Sequence, residues 1–304
     1  MIDSITGIHH ITAMASDAVA NNTFFTGALG QRRVKKTVNF DAPDVYHLYY
    51  ADRVGTPGTV MTYFPFPDIG RARRGTGEVG HIAYAVPPKA LATWARRYRG
   101  AARDTAFGED RLHLTGPDGE AILLVASDEA VGQVWGETLD PAIAPRGFHS
   151  ASLRVAETEG MDELLRLMGY TAEATEGRVT RYRIGGGGAS RLDLAHRPDM
   201  PRSMQGAGSV HHIAFAVPDR AAQQGAREAL LAAGYEVTPV FDRGYFHAIY
   251  FRTPGGILFE IATDEPGFDT DEPVETLGEA LMLPEQHEGL RPRLERSLPV
   301  LDRA

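Results

Sequence analysis

Two stretches far apart in the chain are nearly the same. Residues 79–87 read VGHIAYAVP and residues 210–218 read VHHIAFAVP, identical at seven of nine positions, with Tyr84 exchanged for Phe215 at an eighth. A repeat constrains the fold before any single residue does, because each copy has to form the same supersecondary unit. Residues 7–15, GIHHITAMA, and 147–155, GFHSASLRV, fit the same frame more loosely. The segments after the copies are also alike. Asp219 and Gly234 bracket DRAAQQGAREALLAAG as an N-cap and a C-terminal glycine bracket a helix, and EGMDELLRLMGY at 159–170 ends on the same Gly-Tyr pair. PKALATWARRYRG and AVANNTFFTGALG are further helices ending at glycine. Each helix is followed by β-branched or aromatic runs separated by Gly, Pro and Asp, which read as strands.

The chain is therefore expected to be an α+β protein of four βαβββ modules, at about 5–68, 77–128, 145–198 and 209–265. The expected domains are residues 1–135 and 145–265, each built of two modules as curved mixed sheets, with 266–304 an extension packed on the surface. The run GGGG at 185–188 has no Gly-Lys-Ser/Thr after it and reads as a strand-to-strand turn rather than a phosphate loop.

With no cysteine among 304 residues, disulfides, thiolate nucleophiles and zinc-thiolate sites are excluded, and a metal has to be held by nitrogen and oxygen. The formal net charge of −9 argues against non-specific nucleic-acid binding, which depends on Lys and Arg neutralising phosphates. The N-terminus lacks the basic and apolar regions of a leader peptide, and no apolar run approaches membrane-span length. No nucleic-acid or membrane partner is expected, and the expected location is cytoplasmic.

Neighbouring residues on a strand face opposite sides of a sheet. Of His9-His10 and of His211-His212, one member each is expected to point inward and the other outward. The last strand of the fourth module carries Glu260 among Leu258, Phe259, Ile261 and Ala262. A carboxylate in apolar company is unfavourable unless it is paired or bound to a cation. His212 and Glu260, on the first and last strands of one module, are expected to be two ligands of a metal. The third is His10 or His149. His10 sits in the same frame as His212, whereas the third module has Ser150 there, so His10 is preferred and the first and fourth modules are expected to share a cavity. Two histidines and one carboxylate leave open positions and suit iron(II). In the second module His81 keeps the frame of His212 but Leu124 falls where Glu260 falls, counting back from Asp128 and Asp264. That pattern predicts one working cavity and one filled with side chains. Arg243 and Tyr250 are expected beside the metal, Arg as a permanent cation and Tyr as a donor. His9, His211 and Thr12 adjoin it in sequence as orienting or acid/base groups. His47, His113, His196 and His287 show no partner pattern and read as ordinary.

The motifs GIHHIT, VHHIAFAVPD, FDRGYFHAIYFRTPGG and GILFEIATDEPGF, in this order over nearly the whole chain, resemble the vicinal oxygen chelate (glyoxalase/extradiol dioxygenase) superfamily, and within it the ring-cleaving dioxygenases that act on hydroquinones. The resemblance implies Fe(2+), with Mn(2+) an alternative, on His10, His212 and Glu260. It implies catalytic roles for His9, His211, Tyr250 and Arg243, and substrate contacts from Thr12, Arg243 and Tyr250. It further implies that the first and fourth modules form the metal cavity, that a small aromatic substrate and O2 are the partners, and that the chain forms a homo-oligomer. Two rivals share the fold. A glyoxalase I-like isomerase needs another carboxylate or amide ligand, which TVMTYF at 59–64 does not supply. A drug-sequestering protein has no need of the three ligands together.

Overall fold

The computed structural model describes residues 1–301. The first module comprises β1 (Gly7–Ala15), α1 (Ala18–Thr23), β2 (Arg32–Val38), β3 (Tyr46–Ala51) and β4 (Val60–Pro65). The second comprises β5 (Glu78–Val86), α2 (Leu91–Arg97), β6 (Arg103–Ala106), β7 (Glu109–Thr115) and β8 (Ala121–Ala126). The third comprises β9 (Phe148–Val155), α3 (Glu159–Leu167), β10 (Thr171–Glu176), β11 (Val179–Arg183) and β12 (Arg191–His196). The fourth comprises β13 (Val210–Val217), α4 (Arg220–Ala232), β14 (Phe241–Asp242), β15 (Phe246–Arg252) and β16 (Leu258–Pro266), and α5 (Arg291–Ser297) lies near the C-terminus. The glycine run at 185–188 lies in the turn between β11 and β12.

The strands form two eight-stranded mixed sheets, in the orders β14-β15-β16-β13-β1-β4-β3-β2 and β10-β11-β12-β9-β5-β8-β7-β6. In each module the first strand runs parallel to the last, and first strands pair antiparallel between modules, β1 with β13 and β5 with β9. One sheet therefore joins the first module to the fourth, and the other joins the second to the third. The halves 1–135 and 145–265 each give one module to each sheet.

Alternation decides which side chains reach the core. Phe259 and Ile261 of β16, with Ile213, Phe215 and Val217 of β13, enter the main apolar cluster beneath Ala226 and Leu230 of α4. The intervening Ala214 and Ala262 face the other way. Asp219 caps α4 by accepting from the Ala222 N–H at 2.8 Å, and Gly234 follows its end with φ 88°, a conformation glycine adopts without strain.

Strict alternation fails at both His-His pairs. Between β1 and β13, Ile8 pairs with Phe215 and His10 with Ala214, which leaves His9 as an extra residue, and a second shift between Thr12 and Ala13 leaves His211 unpaired. Ile8 and Ile11 both point into the core, so His9 and His10 share the opposite side. The expectation of one inward and one outward histidine is thus corrected: a β-bulge inserts a residue and turns both members of each pair to the same side of the sheet.

The C-terminal extension seals the outer edge of β2, where unpaired backbone would otherwise invite association. The Met282 N–H donates to Lys36 O, Arg33 Nε to Gly278 O at 3.0 Å and Arg32 to Glu275 O at 3.1 Å. The fully buried Lys35 contacts Asp271 and Glu272, each at 2.6 Å. Among the described residues no helix is long and apolar enough to cross a membrane.

Candidate metal centre

Three ligand atoms, one each from His10, His212 and Glu260, lie within 4.8 Å of one another, and all three residues are buried. They come from β1, β13 and β16, three adjacent strands of the first sheet, with Glu260 opposite Ala214 on one side and Tyr250 on the other. Glu260 Oε2 stands 2.9 Å from His212 Nε2 and 3.5 Å from His10 Nε2. Burial by itself would raise the carboxyl pKa, but the two imidazoles outweigh it and hold the group well below the usual carboxylate range. Glu260 is fully buried, and neither of its oxygens is satisfied by a hydrogen bond of acceptable geometry.

The doubled histidines explain how the ligands are aimed. His9 Nδ1 lies 2.9 Å from His10 Nδ1, and His211 Nδ1 lies 2.8 Å from His212 Nδ1. If the second member of each pair donates from Nδ1, its Nε2 lone pair is left facing Glu260. The first member has to stay neutral to accept that bond. Burial pushes His9 down to about 3 and His211 down to about 4, so both meet the condition. The protons by which the imidazoles hold Glu260 ionised are then gone from Nε2, and two bare nitrogen lone pairs and a carboxylate oxygen converge, an arrangement that repels itself unless a cation takes the place of those protons. The donor set thus fits a divalent metal, and hydrogen bonds to the non-ligating nitrogens are what fix ligand tautomers at such sites.

A cavity of about 460 Å³ opens over the three ligands. Phe64, Phe66, Phe246, Leu258, Met14 and Phe40 make it apolar. Two polar arms reach in from opposite modules. From the fourth, Arg243 Nε donates to the Tyr250 hydroxyl oxygen at 3.2 Å, which leaves the phenolic proton directed elsewhere. Burial, reinforced by Glu260, raises the Tyr250 pKa well above its ordinary value, so the proton is retained. From the first, Thr62 donates to Thr12 at 3.0 Å, His47 Nε2 lies 2.8 Å from Thr62 Oγ1, and the Tyr49 hydroxyl lies 2.8 Å from His47 Nδ1. Because Thr62 spends its proton on Thr12, it has to accept from His47, and His47 accepts from Tyr49. The Thr12 proton has no acceptor among the described residues.

Of the residues singled out in the sequence, His10, Thr12, His211, His212, Arg243, Tyr250 and Glu260 line this cavity. His9 does not. It lies behind His10 with its ring 5.3 Å from that of Phe246. His149, the other candidate third ligand, is in the second sheet and contacts Glu109 at 2.8 Å. His47, read as ordinary, is in the cavity wall. The sheet register shows why: Tyr49 pairs with Thr62 as Tyr250 pairs with Glu260, so His47-Leu48-Tyr49 is the first-module counterpart of Ala248-Ile249-Tyr250. By the same register Thr62 occupies the place that Glu260 has in the fourth module.

The second sheet corrects two expectations. Ala83 pairs with Leu123 as Ala214 pairs with Glu260, so Leu123, not Leu124, takes the carboxylate's place. Counting back from the aspartates slipped by one residue, and one residue exchanges the faces of a strand. Leu124 is in the main core, while Leu123 lies with Ala83 and Val125 on the opposite face. Nor is this face filled by side chains, since a cavity of about 480 Å³ remains.

Paired sheets of βαβββ modules and a buried two-histidine, one-carboxylate cluster define a class of metal-binding proteins, and the comparisons agree. Residues 153–261 match the family model described as Glyoxalase/Bleomycin resistance protein/Dioxygenase superfamily. The chain is 42% identical, over 96% of its length and 95% of the relative's, to the Bacillus subtilis (strain 168) protein named "Putative ring-cleaving dioxygenase MhqO". It is 34% identical, over 97% of both chains, to the "Chlorohydroquinone/hydroquinone 1,2-dioxygenase" of Sphingobium indicum. A crystal structure of a B. subtilis protein described as a "putative dioxygenase" superposes with a TM-score of 0.94 at 41% identity, covering 98% of each chain. The chain belongs to the glyoxalase/bleomycin resistance protein/dioxygenase superfamily, and relatives that align with almost its whole length carry the name of ring-cleaving dioxygenases.

Proposed function

We propose that this chain is an iron(II)-dependent dioxygenase that opens a hydroquinone-type ring and places both atoms of O2 in the open-chain product. The observation that carries the reading is the unsatisfied Glu260 carboxylate, buried against two imidazole Nε2 atoms beneath a cavity with aromatic walls. His10, His212 and Glu260 would hold the metal. Bound there, iron(II) supplies the one-electron chemistry by which O2 can react with an aromatic ring, and three protein ligands leave positions for substrate and O2. The aromatic wall seats the ring. Tyr250, kept protonated and aimed by Arg243, donates to an oxygen that gains negative charge, and the Arg243 guanidinium stabilises that charge. Thr12, at the end of the chain through Thr62, His47 and Tyr49, donates from the opposite side. His9 acts as a positioning residue for His10, whereas His211 both orients His212 and reaches the cavity. The preference for a hydroquinone over a catechol is supported by the name of the Sphingobium relative.

The isomerase reading is weakened by Thr62, which offers a hydroxyl where that activity needs another anionic or amide ligand. Anaerobic loading followed by metal analysis and O2 uptake with hydroquinone, methylhydroquinone and catechol tests the proposal. Stoichiometric iron with O2 uptake on a hydroquinone, both lost in Glu260→Gln, is the expected result. A Glu260→Gln protein with normal iron content and full turnover would sink it.

A further inference from the structure

The second sheet repeats the architecture of the first but carries different chemistry on the same face. Ser150, His81 and Leu123 stand at the register positions of His10, His212 and Glu260. A serine and a leucine have replaced two ligands, so no cation site remains. The face is nevertheless open, and its cavity of about 480 Å³ is close to the metal cavity in size. Four guanidiniums line it, those of Arg74, Arg111, Arg154 and Arg197, against two carboxylates, Glu176 and Asp193.

Neither carboxylate is free. Asp193 is clasped by the buried Arg181 at 2.7 and 3.0 Å, and Glu176 accepts the Phe107 N–H at 2.8 Å. Of the arginines, Arg111 is held by Asp104 and Arg74 by two backbone carbonyls. Arg154 gives only its Nη1 to Glu78, at 2.6 Å. Its remaining nitrogens lie over Gly80, where a Cβ would come within 2.8 Å of Nη2, so glycine at this point makes room for the guanidinium. The Arg197 guanidinium has no hydrogen bond or ion pair among the described residues, and His81 presents a buried Nε2 with no partner. The Arg154 and Arg197 guanidiniums thus keep unspent donors on this face, while Asp193 is neutralised by Arg181 and Glu176 keeps one oxygen without a partner among the described residues.

The rim carries a second sign. Phe107 and Gly108 form the two-residue turn between β6 and β7, and Phe107 has φ 53°, a left-handed conformation unfavourable for a bulky residue. Its ring lies 4.1 Å from the Arg181 guanidinium and forms part of the cavity wall with Val179, Ala195 and Met200. The two-residue turn itself requires positive φ at both positions, and here a phenylalanine meets that requirement in place of the usual Asn or Gly while its ring forms part of the cavity wall.

We propose that this cavity binds a small organic carboxylate with a body about the size of one aromatic ring, its oxygens on Arg154, Arg197 and His81 and its apolar part under Phe107. Guanidinium donors in a fork match a planar carboxylate, and the apolar wall distinguishes such a ligand from a bare oxyanion. The site is separate from the metal centre and does not depend on the reaction proposed there.

Isothermal titration of the full-length, metal-free protein with benzoate, with its neutral isostere benzamide and with inorganic phosphate tests the proposal. Benzoate is expected to bind at one site, with benzamide and phosphate each at least about 10-fold weaker, since a hydrogen bond to a charged group contributes about that factor. Arg154→Met strands the buried Glu78 and risks misfolding, so the decisive variant is Arg197→Gln, which breaks no existing pair. It is expected to weaken benzoate about 10-fold, while Arg243→Gln in the metal cavity leaves it unchanged. Equal affinity for benzoate and benzamide, tighter binding of phosphate, no saturable binding, or a loss in Arg243→Gln instead of Arg197→Gln would each overturn the assignment.

Discussion

Lys35 is the sharpest test of how the C-terminal extension is held. Its side chain is fully buried on β2, 2.6 Å from both Asp271 and Glu272 and with Nζ 4.8 Å above the Tyr245 ring. Methionine has nearly the same length and shape, so Lys35→Met opens no cavity and removes only the charge. The Glu272 side chain is 5% exposed and would keep only two long contacts, from the Gly278 and Ala280 N–H groups at 3.3 Å. Removing one partner of a buried pair costs about 3–5 kcal/mol. Asp271, one-third exposed, adds at most about 1 kcal/mol because solvent screens it. A loss of about 3–5 kcal/mol is therefore expected, read from urea unfolding of the metal-free protein, with early proteolysis after residue 266. The double variant Lys35→Met/Glu272→Gln should recover at least about 2 kcal/mol, the coupling of two groups in direct contact. A single-variant loss below about 1 kcal/mol, or a double variant no better than the single, would refute the view that this buried cation clamps the extension.

Other expectations can be measured alongside it. Gly278→Ala, at φ 79° and with a Cβ only 1.8 Å from Arg33 O, should loosen the same clamp and speed proteolysis of the extension without altering metal content. Tyr250→Phe should lower kcat with hydroquinone about 100-fold, as loss of a proton donor does, while iron content stays stoichiometric. Tyr49→Phe should lower kcat less than Tyr250→Phe and free His47 to exchange tautomers, visible in the 15N shifts of its imidazole. His9 has a folded pKa near 3 against an ordinary 6.5, so the native state binds fewer protons than the unfolded one. Its contribution to metal-free stability is complete above pH 6.5 and is lost as the pH falls toward 3, at up to about 1.4 kcal/mol per pH unit. His9→Asn should flatten the acid limb of a stability-against-pH curve by one proton, and an unchanged slope would contradict a neutral buried His9.

The repeat made the module order legible because seven identical residues fix a frame. Glu260 stood out because an acid flanked by Phe259 and Ile261 has no cheap alternative to pairing. What the sequence hid has local causes. A bulge adds a residue without marking it, so alternation misassigned the facing of His9 and His211. The same blindness to register exchanged Leu123 for Leu124. His47 escaped notice because its partners Thr12 and Thr62 lie on neighbouring strands, and hydroxyls carry no periodic signal. The open, arginine-lined second cavity was missed because its donors come from three strands and two loops that only the folded sheet assembles.

Pairing the first module with the fourth has a temporal consequence for a chain made from its N-terminus. The second and third modules are consecutive and can join as soon as both have emerged. The first has to wait, with the inner edge of β1 bare, until β13 arrives. From Ala15 to Val210 that interval is roughly 10–40 s at about 5–20 residues per second. The proposed metal site cannot assemble during this wait, since His10 is available long before His212 and Glu260 exist. On the proposed ligand set, metal loading would follow the closure of this sheet, and until then the bare β1 edge is open to pairing with another strand.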